Sequence, residues 1–144
     1  MKVTFEKVDT IEQEEACIKA LEITPDIQAA TELLEGGFGK IPAMKDGKNF
    51  LIKTDAVYYA ESVDKRTFIY TKDNCYETKE RLYELEVSLG YYCARVSKSL
   101  IVNLKKVKNV TSEFGGRMVA AMLNDEELVI SRSYVKDIKG RLGL

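Results

Sequence analysis

The chain contains no histidine. That excludes Ser–His–Asp triads, histidine-ligated metals and imidazole proton shuttles. Cysteine is sparse: Cys17, Cys75 and Cys93 are scattered, odd in number and form no CxxC pair. Buried free thiols in a reducing compartment are therefore expected. No apolar run approaches the roughly eighteen residues that a membrane-crossing helix requires. The N-terminus also lacks a basic-then-apolar signal segment, so a cytoplasmic location is expected, at most tethered through a partner. Gly39-Lys40 is followed by Ile41, so the GxxxxGK[ST] phosphate-loop spacing is missing and a helix stop and turn is the better reading. The acids Glu84, Glu86, Glu126 and Glu127 have no activating surroundings in the sequence and read as solvated charge. No catalytic set emerges, and neither enzymatic activity nor a cofactor is expected.

What is present suits a soluble, core-forming chain: 45% hydrophobic and 31% charged residues over 144 positions. The net charge of −1 conceals a division. Residues 1–37 carry nine acids and three bases, a net of −6, whereas residues 38–144 carry fourteen acids and nineteen bases, a net of +5. Such asymmetry separates an acidic extension (1–37) from a mildly basic domain (40–144). Read blandly, the same pattern is an ordinary domain beside solvated charge.

Local patterning gives the expected elements. Val3, Phe5 and Val8 space a first strand, and residues 16–23 read as a second. Thr24-Pro25-Asp26 starts a helix, with Thr24 as its cap and Pro25 at the first helical position. Ile27, Ala30, Leu33 and Leu34 form its stripe, and Gly36-Gly37 ends it. From Ile41 onwards strands and turns dominate. Asp46-Gly47 marks a hairpin, Ser62 to Arg66 a polar turn, Phe114-Gly115-Gly116-Arg117 a hairpin tip and Asn124-Asp125 another. One amphipathic helix is expected over residues 78–89, ending at Gly90. The fold class is mainly β (α+β): a β-strand domain with one short helix, preceded by a small strand-and-helix extension.

Two hydroxyl–cation clusters stand out: Ser97-Lys98-Ser99, within residues 94–103, and Ser131-Arg132-Ser133, after the last strand. Short polar donors beside a cation are what a surface needs to hold phosphates and read base edges. Strand caps are the alternative for the first cluster. A salt bridge from Arg132 to Asp137 or Glu127 is the alternative for the second. Arg132 has the planar fork that can address guanine O6 and N7 together. Asn103 reads as structural and Tyr134 as core.

With the hairpin of residues 55–71 and the helix of 78–90, these runs resemble the LytTR family of bacterial DNA-binding domains, in the family's order over roughly residues 40–144. The family usually has His at the position of Ser97 and Arg or Asn at that of Lys98. The resemblance implies an elongated β-strand domain, duplex DNA binding and a stand-alone transcriptional regulator. It implies DNA contacts from Lys65, Arg66, Ser97, Lys98, Ser99, Arg132 and Ser133, and Arg117 and Lys136 are further candidates for DNA binding as phosphate neutralisers. With about 37 residues ahead of the match, no receiver domain is expected in cis. Candidate partners are duplex DNA, a second copy of the chain on repeated sites and, as short family members imply, a small inhibitory membrane protein. A protein–protein interaction module without DNA binding is the competing function.

Overall fold

The computed structural model describes residues 1–34 and 39–144, in two units, Met1–Glu35 and Gly36–Leu144. In the first unit a ten-residue helix, α1 (Pro25–Leu34), forms where expected. Thr24 Oγ1 accepts the Ile27 N–H at 3.3 Å, as a capping hydroxyl should. The expected stop at Gly36-Gly37 lies outside the described residues. Neither expected N-terminal strand is present: residues 1–8 and 16–20 adopt no regular structure. Alternation creates a strand only when a neighbour pairs with it. Here Val3 and Phe5 stay 86% and 93% exposed.

Among the described residues the second unit has ten strands in two antiparallel sheets. The larger comprises β1 (Lys40–Lys45), β2 (Lys48–Lys53), β3 (Tyr59–Val63), β4 (Arg66–Tyr70), β5 (Cys75–Thr78), β6 (Cys93–Ser97) and β7 (Leu100–Asn103). Its strand order is β2-β1-β5-β4-β3-β7-β6. The smaller comprises β8 (Val107–Ser112), β9 (Met118–Met122) and β10 (Glu127–Ile130), in the order β10-β9-β8. The β1–β2 hairpin turns at Asp46-Gly47, both with positive φ, as a two-residue primed turn requires.

Adjacent residues of a strand point to opposite faces, and the core shows the consequence. Ala60, Cys93 and Ile101 join one buried cluster, with Ile41, Ile69 and helix α2 (Leu82–Leu89). Their neighbours Tyr59, Ala94 and Val102 join a second, with Met118, Met122, Ile130 and Ile138. Both faces of the central strands are thus covered. Asn103 is structural as expected: buried, its Nδ2 donates to Val57 O at 2.8 Å and its Oδ1 accepts from Lys105 N at 3.0 Å.

Several expectations require correction. The expected helix of 78–89 begins only at Leu82, because Thr78 closes β5, buried, and donates to Pro42 O at 3.0 Å. Arg81 precedes the helix instead, its N–H bonded to Glu84 Oε1 at 3.1 Å. The domain has a further helix, α3 (Arg132–Leu142), beyond the one short helix expected. Ser131 is its N-cap residue. Tyr134, Val135, Ile138 and Leu142 form its inward stripe on the second cluster, so Tyr134 packs on the core although it is only half-buried. Of the three cysteines only Cys93 is buried; Cys17 and Cys75 are exposed.

Candidate nucleic-acid interface

Antiparallel pairing decides which tips meet. Strand β3 pairs with both β4 and β7, with Glu61 opposite Phe68 on one side and Leu100 on the other. The β3–β4 turn, Asp64-Lys65, and the β6–β7 turn, Lys98-Ser99, therefore emerge from the same end of the sheet. Ser62 N–H donates to Ser99 O at 2.8 Å and locks them side by side. Ser131 N–H donates to Val96 O at 2.8 Å, which starts α3 beside the end of β6, one residue before Ser97. The β8–β9 tip backs onto the same place. A Cβ added to Gly116 would lie 2.9 Å from Arg132 Cδ. Lys65, Lys98 and Arg132, separated in sequence, are thus carried by contiguous elements.

The charges at this end differ in availability. Arg66 Nε and Nη2 grip Glu77 Oε1 and Oε2 at 2.9 and 2.6 Å, a two-point ion pair. Register explains it, since Arg66 and Phe68 project from one face of β4 and Glu77 stands opposite Phe68. The bond and charge of Arg66 hold the Glu77 carboxyl below its usual range, and Glu77 raises the guanidinium in return. Arg117 lies 3.5 Å from Glu113 across its hairpin. Lys65, Lys98, Arg132 and Lys136 are exposed, and none forms an ion pair among the described residues. The salt-bridge alternative for Arg132 does not occur: Asp137 instead holds Arg141 Nε at 3.0 Å, one turn along α3.

The hydroxyls are partly committed. Ser97 Oγ accepts Ser99 N–H at 3.2 Å and lies 3.5 Å from Ser99 Oγ, while Arg95 Nη1 donates to Lys98 O at 2.7 Å. These bonds stiffen the turn and leave Lys98's side chain free. Ser133 is exposed in the first turn of α3, and Lys136 follows Arg132 by one helical turn on the same face.

Lys65 occupies a costly conformation. Asp64 and Lys65 have φ of 49° and 64°, the left-handed region that glycine favours. Sequence reasoning missed one cation here, Arg81, whose Nη1 donates to Lys65 O at 3.1 Å. The signal was available: Arg81 follows the strand antiparallel to β4, and so returns to the end where β4 begins. Elsewhere, among the described residues, no cluster of His, Cys, Asp or Glu could hold a metal ion. Nor is any helix among them long and apolar enough to cross a membrane.

This end of the sheet gathers exposed, unpaired cations and short hydroxyls on neighbouring elements, a chemistry that suits a polyanion. Comparison gives the class its family. The LytTr DNA-binding domain model matches residues 47–143, and the chain belongs to that family. It is 30% identical over 105 residues to transcriptional regulatory protein LytR of Staphylococcus aureus (strain N315), covering 72% of this chain and 43% of that protein. Transcriptional regulatory protein YpdB of Escherichia coli O6:H1 (strain CFT073) is 29% identical over 101 residues, covering 69% of this chain and 41% of that protein. The chain thus matches less than half the length of these relatives. The fold agrees with a LytTr DNA-binding domain from Bacillus cereus, with a TM-score of 0.71 at 24% identity over 75% of this chain and 100% of that one.

Proposed function

We propose that this chain is a transcriptional regulator that binds duplex DNA sequence-specifically through the end of the large sheet bearing Lys65, Lys98 and Arg132. The observation that carries the reading is the convergence of these unpaired cations through the Ser62–Ser99 and Ser131–Val96 backbone bonds. Residues 40–144 act as the DNA-binding domain and residues 1–37 as an acidic extension to it. Arg132, free of carboxylates and braced on Gly116, reads a guanine edge with two parallel donors. Lys65, Lys98 and Lys136 neutralise phosphates, while Ser97, Ser99 and Ser133 add hydroxyl contacts to the backbone. Arg66 and Arg117 reach phosphates only by exchanging their carboxylate partners for them.

The test compares a duplex selected by the full chain from a randomised pool with random duplex. Arg132→Ala should cost about 1–3 kcal/mol on the selected duplex and far less on random DNA. Lys136→Ala should weaken both about equally and flatten the salt slope by about one unit. Equal losses on both duplexes for Arg132→Ala would remove it from the specificity assignment. A wild-type chain that shows no salt-sensitive binding to any duplex would favour the protein–protein module.

A further inference from the structure

The β8–β9 tip carries a side chain for which the fold has no use. Phe114 is 98% exposed, at the start of the loop Phe114-Gly115-Gly116. Glu113 N–H closes that loop onto Arg117 O at 2.9 Å. Both glycines have positive φ, 90° and 83°. Gly116 packs so closely that an added Cβ would meet Arg132 Cδ at 2.9 Å and Cγ at 3.0 Å. The tip is therefore fixed against the first residue of α3. Phe114 stands out from it with Arg117 in the same loop and Arg132 behind.

An isolated exposed aromatic is unremarkable on a protein surface. One on a closed loop that carries Arg117 and packs through Gly116 against Arg132 is placed differently. The cations bring a polyanion backbone to the tip, and an aromatic ring beside phosphates has the stacked bases as its apolar neighbour. Apolar side chains that insert at a base step part the stack and kink the duplex. Resting on the DNA-binding function proposed above, we infer that Phe114 is an apolar wedge that inserts at a base step beside the duplex contacts of Arg132. Arg117 leaves Glu113 for the adjoining phosphate as the wedge enters. The 3.5 Å separation and exposed setting of that ion pair make the exchange easy. The wedge adds affinity without phosphate neutralisation, and it adds preference for steps that unstack readily, such as TA and CA.

The experiment uses the full chain with a dye-labelled duplex selected from a randomised pool, with 2-aminopurine placed at successive positions. Wild type should bring the duplex ends together by energy transfer and brighten one 2-aminopurine position. Phe114→Ala should bind about 10- to 100-fold more weakly, the loss expected for an unburied phenyl ring. It should also abolish both optical signals and leave the slope of log affinity against log salt unchanged. Phe114→Leu should restore part of the bend. Because Phe114 is on a loop and exposed, the melting temperature of both variants should match wild type. If Phe114→Ala binds, bends and brightens like wild type while Arg132→Ala is impaired, the wedge is wrong and the DNA-binding function stands. Failure of wild type to bind any duplex overturns both.

Discussion

On the proposed DNA-binding function, the Arg66–Glu77 pair acts as a brake, and replacing Glu77 should release it. In the free protein the two Glu77 oxygens hold the Arg66 fork at two points, at 2.9 and 2.6 Å. Moving Arg66 to a phosphate exchanges one anion for another, with little net neutralisation of the duplex. Among the described residues Lys65, Lys98, Arg132 and Lys136 are unpaired at this end, and Lys65, Lys98 and Lys136 are the proposed phosphate contacts, with Arg132 on a base edge. Each phosphate neutralised contributes roughly −0.9 to the slope of log affinity against log salt, so three predict a wild-type slope of about −2.7. Glu77→Gln keeps the shape and one carbonyl acceptor but removes the charge. Arg66 then becomes a fourth phosphate contact, and the slope should steepen to about −3.6, with tighter binding at low salt. Fluorescence anisotropy across a salt series measures it. Arg66→Ala alone should change the slope little, and the double variant should return to the wild-type value. A Glu77→Gln slope equal to or shallower than wild type would refute the reasoning. Acid is a poor substitute for the mutation. Glu77 has a depressed pKa, so the pair's contribution to stability is present above the ordinary carboxylate range. It is lost only as pH falls through that lowered value, where other carboxylates also titrate.

Further outcomes are expected from the same geometry. Lys65→Gly removes a left-handed lysine, so it should raise stability by about 1 kcal/mol in chemical denaturation. It should also weaken DNA binding and flatten the salt slope by about 0.9; a destabilised variant would contradict the strain argument. Asn103→Ala strands the Val57 carbonyl and the Lys105 amide, so a loss of about 2–4 kcal/mol is expected by denaturant unfolding. Native maleimide labelling, read by mass spectrometry, should modify Cys17 and Cys75 and spare Cys93, whose thiol burial pushes up to about 12. The raised thiol pKa contributes stability that is intact below the ordinary value of 9.0 and lost as pH rises towards about 12. Unfolding midpoints should fall across that alkaline window.

Short-range chemistry was legible in the residues. Asp46-Gly47 specifies its turn because two left-handed positions are needed and one is glycine. Gly115-Gly116 at the β8–β9 tip, both with positive φ, follow the same logic, whereas at Asn124-Asp125 only Asp125 takes a positive φ; Asn103 could be read as a backbone-bonding amide. The N-terminal strands were misread because alternation was treated as sufficient, although a strand exists only with a partner. Helix α3 was missed for the opposite reason. Tyr134, Ile138 and Leu142 recur every four residues behind Ser131, a capped amphipathic pattern. The hydroxyl–cation cluster at its start invited reading as a loop, and Gly140 near its end weakened the helical signal.

What no local pattern could supply was the meeting of the tips. Lys65 and Lys98 become neighbours because β3 pairs simultaneously with β4 and β7, a register visible only once the sheet is assembled. The same register sets Glu77 within reach of Arg66, whereas Lys65 forms no ion pair among the described residues. The two primed turns make the distinction physical. Both have their two central residues in the left-handed region, yet Asp46-Gly47 uses glycine at the second position where Asp64-Lys65 carries lysine. Backbone energetics favour glycine at both. A lysine there, at a cost of about 1 kcal/mol, fits the phosphate contact proposed for it, on the sheet end where Lys98 and Arg132 also stand unpaired among the described residues.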